Sequence, residues 1–115
     1  MNITKIIGDF GENKTAGLYK SKGYTILVRN FKCRLGELDI VAQKGDTVAV
    51  IEVKTRKNAD FAQAREFVNY NKQSKIKAAA KLFLQQNDLL EKFIRFDVAE
   101  VYTENKEINI IEDAF

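Results

Sequence analysis

The stretch Thr47 to Thr55, TVAVIEVKT, is apolar on both sides of a strand, with Val48 and Val50 on one side and Ala49, Ile51 and Val53 on the other. Strand side chains alternate between two faces, so such a run has no face to offer to water. It belongs at the centre of a sheet, covered on both faces. At its end the pattern breaks, because Glu52 and Lys54 continue the side of Val48 and Val50. The preceding apolar run, ELDIVA, likewise carries Glu37 and Asp39. Ionised groups in core-like strands are costly unless paired or bound to a metal, so either the burial ends there or a site begins there.

The elements around this strand follow from local pattern. A helix is expected from about Thr4 to Ser21, weakened by Gly8, Gly11 and Gly17 and stopped at Gly23, with Glu12, Ala16 and Tyr19 on one side. YTILVRN and ELDIVAQ read as strands, and KGD as the hairpin turn into TVAVIEVKT. SKIKAAAKLFLQQ, begun near Asn69, reads as a second helix whose buried stripe is Ile76, Ala79, Ala80 and Phe83. Lys72 extends that stripe and needs an anion or room to snorkel, whereas Lys77 and Lys81 lie away from its centre. IRFDVAEVY and INIIE complete the chain as strands. The expected fold is α/β, one domain over 1–115, with a mixed β-sheet flanked by helices.

Composition removes several chemistries. There is no histidine, and Cys33 is the only cysteine, so a disulfide or a cysteine-based zinc site within one chain is excluded. Catalysis, if any, falls to carboxylates, Lys, Tyr or hydroxyls. No segment approaches the roughly 18 uninterrupted apolar residues of a spanning helix, and no secretory leader is visible, so the expectation is a cytoplasmic protein that does not engage a membrane. Charge is uneven: residues 1–81 hold 16 basic and 8 acidic groups, net +8, and 82–115 hold 3 basic and 8 acidic, net −5. Between Glu12 and Glu37 stand Lys14, Lys20, Lys22, Arg29, Lys32 and Arg34 without an acid. This suits a side that faces a polyanion, or simply a solvated basic surface.

A turn over Lys44 to Asp46 sets the hairpin so that Asp39 falls opposite Glu52. Two carboxylates about 5 Å apart repel unless something positive lies between them. Cross-strand ion pairing by Lys54 is one solution. A hard divalent cation is the other, since Mg²⁺ accepts a pair of carboxylates, carbonyls and water. Lys54, one step along the same face, is then placed to orient a water or offset charge in a phosphoryl transition state.

Asp39, twelve intervening residues, then Glu52-Val53-Lys54 resembles the PD-(D/E)XK signature of restriction endonucleases and archaeal Holliday junction resolvases, with Leu38 where Pro or another small apolar residue usually precedes the acid. The segments GDFGENKTAGLYKSKGYTILVRNFKCRLGELDIVA, VAVIEVKTR, VNYNKQSKIKAAAKLFL and RFDVAEV together resemble the YraN family, small bacterial proteins regarded as endonucleases without a settled role. The resemblance implies a restriction-endonuclease-like core. It implies Asp39 and Glu52 as metal acids, joined by the Val53 carbonyl around Mg²⁺ or Mn²⁺, Glu12 as the helical acid beside them, and Lys54 as the catalytic lysine. Glu37 matches the family's GE(I/L)D without a role. Lys72 matches a helical lysine that contacts phosphate or snorkels, and Arg56 a residue that holds phosphate or extends a basic end. Arg95 and Asp97 match a structural ion pair. One departure is KNADFAQAREF, which lacks the glycine expected in that loop.

The leading expectation is a metal-dependent endonuclease acting on branched, nicked or single-stranded DNA, whose backbone Lys14, Arg29, Lys32, Arg34, Arg56 and Lys72 would track. Phosphate contacts of that kind position DNA without reading its sequence. A DNA-binding module with little or no turnover, serving a recombination or DNA-uptake complex, is the alternative. A protein-interaction domain with structural charges is the third. A homodimer follows only by analogy with the resolvases.

Overall fold

The computed structural model describes residues 2–58 and 69–115, so the expectation for the loop over 57–67 lies, beyond Lys57 and Asn58, outside the described residues. Seven elements run in the order α1 (Ile3–Ser21), β1 (Thr25–Cys33), β2 (Gly36–Lys44), β3 (Thr47–Arg56), α2 (Tyr70–Gln86), β4 (Phe93–Tyr102) and β5 (Ile108–Ile111). Each helix begins at an asparagine whose side-chain oxygen accepts an otherwise unpaired backbone N–H: Asn2 from Lys5 at 3.1 Å and Asn69 from Lys72 at 2.9 Å. α1 ends before Gly23, whose φ of +93° suits glycine in the left-handed region.

The strands form one mixed sheet in the order β1-β2-β3-β4-β5. β3 and β4 are parallel, linked through α2, and the other neighbours are antiparallel. β3 is thus the central strand that its two apolar faces require. On one face Ala16 and Tyr19 of α1 pack with Ile40, Ala42, Ala49, Ile51 and Ala99. On the other, Ile76, Ala79, Ala80, Phe83 and Leu84 of α2 pack with Val41, Val48, Val50 and Val98. Burying a large aliphatic side chain stabilises by roughly 1.5–3 kcal/mol, so both faces contribute to the core.

Gly11, which reads in sequence as a helix weakener, is a packing residue. A Cβ there would run into Thr55 Oγ1 and come within 3.3 Å of Val53 Cγ1. Its absence lets α1 lie close against the end of β3.

Regular alternation in β2 fails at one point. Val28 and Val41 pack on the α2 side and the Arg29–Ile40 pair turns to the α1 side, yet Phe31 and Leu38 return to α2. Asn30 and Asp39 are skipped in the pairing ladder, and Asn30 takes φ 55°, a conformation asparagine tolerates better than most residues. The hairpin end therefore curls around α2, and Asp39 sits at the break.

Candidate metal and nucleic-acid site

The pairing of β2 with β3 runs from Lys44–Thr47 to Ile40–Ile51, in the register that the turn predicts. Beyond it the Asp39 carboxylate accepts the Val53 N–H at 2.9 Å. A side chain thus replaces a ladder carbonyl just where the strands part. The opening is a cleft of about 390 Å³, with Gly36, Glu37, Asp39, Glu52 and Val53 on the sheet side and Lys72, Lys75 and Ile76 on α2.

Glu52 is only 7% exposed. Its Oε1 lies 2.7 Å from Lys72 Nζ and 3.6 Å from Lys54 Nζ, so two ammonium groups compensate one buried carboxylate. Lys72 thereby finds the anion that its place on the buried stripe demands. Burial and the Glu52 charge, only partly opposed by the Val53 N–H, push Asp39 up to about 7. For Lys54, burial and then the neighbouring Lys72 lower the pKa against the pull of Glu52 and Asp39. Burial also works against the Lys72 charge, but hydrogen bonding to Glu52 prevails and the net shift is upward.

Glu12 stands at the margin. Its Oε1 accepts from Asn30 Nδ2 at 3.0 Å and lies 3.5 Å from Arg29 Nη2, yet its charge still contributes to the rise at Asp39. The break at Asn30 thus fixes two acids together, one directly and one through the strand. Arg29 is brought to Glu12. Lys32 and Arg34 are exposed at the far end of the β1–β2 hairpin, Lys14 is half-buried on α1, and Arg56 closes β3 opposite Tyr102. Asp39, Glu52, Val53, Lys54 and Lys72 are therefore gathered, while Lys14, Arg29, Lys32, Arg34 and Arg56 do not line the cleft.

Sequence reasoning gave no place in the site to Gly36, Lys75 or Asn30, and put Ile76 only on the buried stripe of the second helix. Lys75 and Ile76 were accessible by helical spacing from Lys72. Nothing in sequence pattern marks Gly36: a Cβ there would stand 2.9 Å from the Lys75 carbonyl oxygen, so the hairpin touches α2 backbone to backbone, a contact between distant segments. Arg95 and Asp97 form the expected structural pair, with Nε–Oδ1 and Nη2–Oδ2 both 2.9 Å. Tyr19, donating to Asp97 Oδ2 at 2.7 Å, and Tyr24, accepting from Arg95 at 2.8 Å, complete that network.

Fold and site define a mixed α/β domain with two carboxylates and two lysines converging where its central strands separate. The chain belongs to the uncharacterised protein family UPF0102, whose profile matches residues 11–101, the same family that the motifs identify as YraN. It is 43% identical over 120 residues to a UPF0102 protein of Caldicellulosiruptor bescii, covering all of both chains. Proteins given the same description in Clostridium perfringens and Clostridioides difficile are each 42% identical, covering 96% and 94% of this chain and 94% and 95% of their own lengths. Among the described residues no helix is long and apolar enough to cross a membrane.

Proposed function

We propose that the chain is a divalent-cation-dependent endonuclease with a restriction-endonuclease-like core, cutting DNA phosphodiesters in branched, nicked or single-stranded substrates. The observation that carries this reading is the convergence of Asp39, Glu52 and Lys54 at the parting of β2 and β3. The parallel β3–β4 pair between antiparallel neighbours supports the core assignment.

The residues present fit a hard cation. Asp39 and Glu52 are close enough for the charge of one to raise the pKa of the other. Among the described residues no three His, Cys, Asp or Glu side chains form a ready cage. The Val53 carbonyl and water would complete the set, as Mg²⁺ prefers and Mn²⁺ accepts. When bound, the ion supplies Lewis acidity toward a phosphate oxygen.

The chain's own groups do the rest. Lys54 is half-buried with its ammonium 3.6 Å from the Glu52 carboxylate, a position from which it would orient the attacking water and offset charge on the phosphate as it develops. Lys72 and Lys75 line the α2 wall, where a phosphate entering the cleft would meet them. Lys14, Arg29, Lys32, Arg34 and Arg56 would follow the backbone outside it without reading bases.

Titrating Mg²⁺ and Mn²⁺ during thermal unfolding of wild type and Glu52→Gln tests the site without a choice of substrate. A cation bound only by the folded site raises the midpoint. A rise in wild type lost in Glu52→Gln, together with cleavage of a junction, flap or single strand that Lys54→Ala abolishes, is the expected result. DNA binding with neither metal response nor cleavage would move the protein to the DNA-binding-module reading.

A further inference from the structure

A five-stranded sheet spans about 19 Å at 4.7–4.9 Å per strand, whereas a helix with its side chains is about 10–12 Å across. One helix cannot cover such a face. α2 packs chiefly over β2, and among the described residues the same face of β4 is only partly covered. There Ile94 and Phe96 floor a groove of about 240 Å³, Ala80 and Leu84 wall it, and Leu90, 55% exposed, closes one end.

The rim is basic. Lys77 and Lys81 project from α2 over the groove, and neither has a carboxylate partner among the described residues. Nearby, the chain already places an acidic segment ending in an aromatic ring. Over residues 112–115, Glu112 pairs with Arg95 at 3.3 Å and the Ala114 N–H donates to the Phe96 carbonyl at 2.7 Å. The Phe115 ring stacks on Phe96 at 5.2 Å, and Lys77 Nζ stands 5.6 Å from the Phe96 ring and 5.8 Å from the Phe115 ring.

We propose that this α2–β4 groove is a docking site for an acidic peptide with an apolar or aromatic anchor, supplied by a partner protein. The anchor fills the floor over Ile94 and Phe96, and its acids meet Lys77 and Lys81. Phe115 already rests on Phe96 beneath Lys77, so an aromatic ring suits the edge of the groove, while Glu112 pairs with Arg95 and not with either rim lysine. Apolar anchors in a desolvated pocket supply most of the affinity of such contacts, and rim charges supply specificity and salt sensitivity. The groove takes Lys77, Ala80, Lys81 and Leu84 of α2, whereas the cleft takes Lys72, Lys75 and Ile76, so the two share no lining residue and can be occupied together. The proposal is independent of the nuclease reading.

Fluorescence anisotropy with a short labelled peptide of alternating Glu and Leu ending in Phe tests it, against one peptide with Gln for Glu and another with Ser for Leu and Phe. Saturable binding that salt weakens, and that both control peptides and Lys81→Glu reduce about tenfold or more, is expected. Lys81 is exposed, so Lys81→Glu should retain the wild-type unfolding midpoint, which is measured alongside. A second variant, Leu90→Ser, should weaken binding as well. Equal binding of the Gln peptide, no binding of any peptide, or displacement by a DNA oligonucleotide as effective as by unlabelled peptide would each overturn the proposal. So would a protein dimer, seen by light scattering, that Lys81→Glu dissociates, since the occupant would then be a second copy.

Discussion

Asp39 carries opposing demands. Its carboxylate fixes the parting of two strands by accepting the Val53 N–H, yet it is buried beside Glu52. Its folded-state pKa of about 7 lies above the ordinary 3.8, so the native state binds its proton more tightly than the unfolded chain does. The stability this confers is complete below about pH 4, is lost as pH rises toward 7, and does not return above it. Asp39→Asn keeps an oxygen for Val53 and has no carboxyl to ionise. In metal-free urea unfolding it should equal wild type near pH 4 and exceed it at pH 8 by an amount on the order of a few kcal/mol. A variant less stable than wild type at pH 8 would mean that Glu52 or the lysines absorb the strain. Lys72 gives a second prediction. Its ammonium holds Glu52 at 2.7 Å, so an incoming cation must compete with it. In Lys72→Gln the midpoint of the Mn²⁺-dependent thermal shift should move to about tenfold lower metal concentration, while affinity for DNA falls. An unchanged metal midpoint would make Lys72 a bystander at the cation position.

At the scale of elements, much of the fold could be read because hydrophobic period and capping agree locally. The two-faced apolar run of β3 called for a central strand, and the Lys44–Asp46 turn set a register observed through Ile40–Ile51. Lys72 on the buried stripe asked for an anion and has Glu52. What escaped is geometry that no period encodes. Asn30 and Asp39 are skipped in the β1–β2 ladder, and only a left-handed Asn30 reveals why Leu38 turns toward α2. Glycine was the weakest guide, since the same residue that lowers helix propensity at Gly11 permits contact with β3. Gly11→Ala forces its methyl group against Thr55 and should destabilise by about 1–3 kcal/mol in denaturant unfolding, although alanine favours a helix by up to about 1 kcal/mol. A neutral or stabilising result would show that α1 shifts freely on the sheet. Buried partners from distant segments were equally invisible. Tyr19 and Asp97 are 78 positions apart, and the hydroxyl donates to a carboxylate with no solvent exposure. Tyr19→Phe should cost about 1–3 kcal/mol, the penalty for leaving one buried acceptor short of a hydrogen bond.

Across the whole molecule, charge and shape divide the work. Asp39 and Glu52 lie at the parting of β2 and β3, and the β1–β2 hairpin beside them carries Lys32 and Arg34 toward solvent while Arg29 turns to Glu12. The net charge of +3 is modest, so long-range attraction of a polyanion depends on this local excess rather than on the total. If DNA follows the hairpin, Lys32 and Arg34 each neutralise about one phosphate and contribute independently of sequence. Their substitution by alanine should leave folding and the metal-dependent thermal shift intact, because both side chains are exposed and neither lines the cleft. It should weaken binding of junction, flap and single-stranded DNA alike, and lower the slope of log affinity against log salt by about one per residue removed. Fluorescence anisotropy of wild type and the double variant across a salt series measures both quantities. A loss confined to one DNA structure would instead assign the hairpin to substrate selection. An unchanged slope would place the DNA path elsewhere, leaving Lys72 and Lys75 on the opposite wall as the cations that meet the backbone.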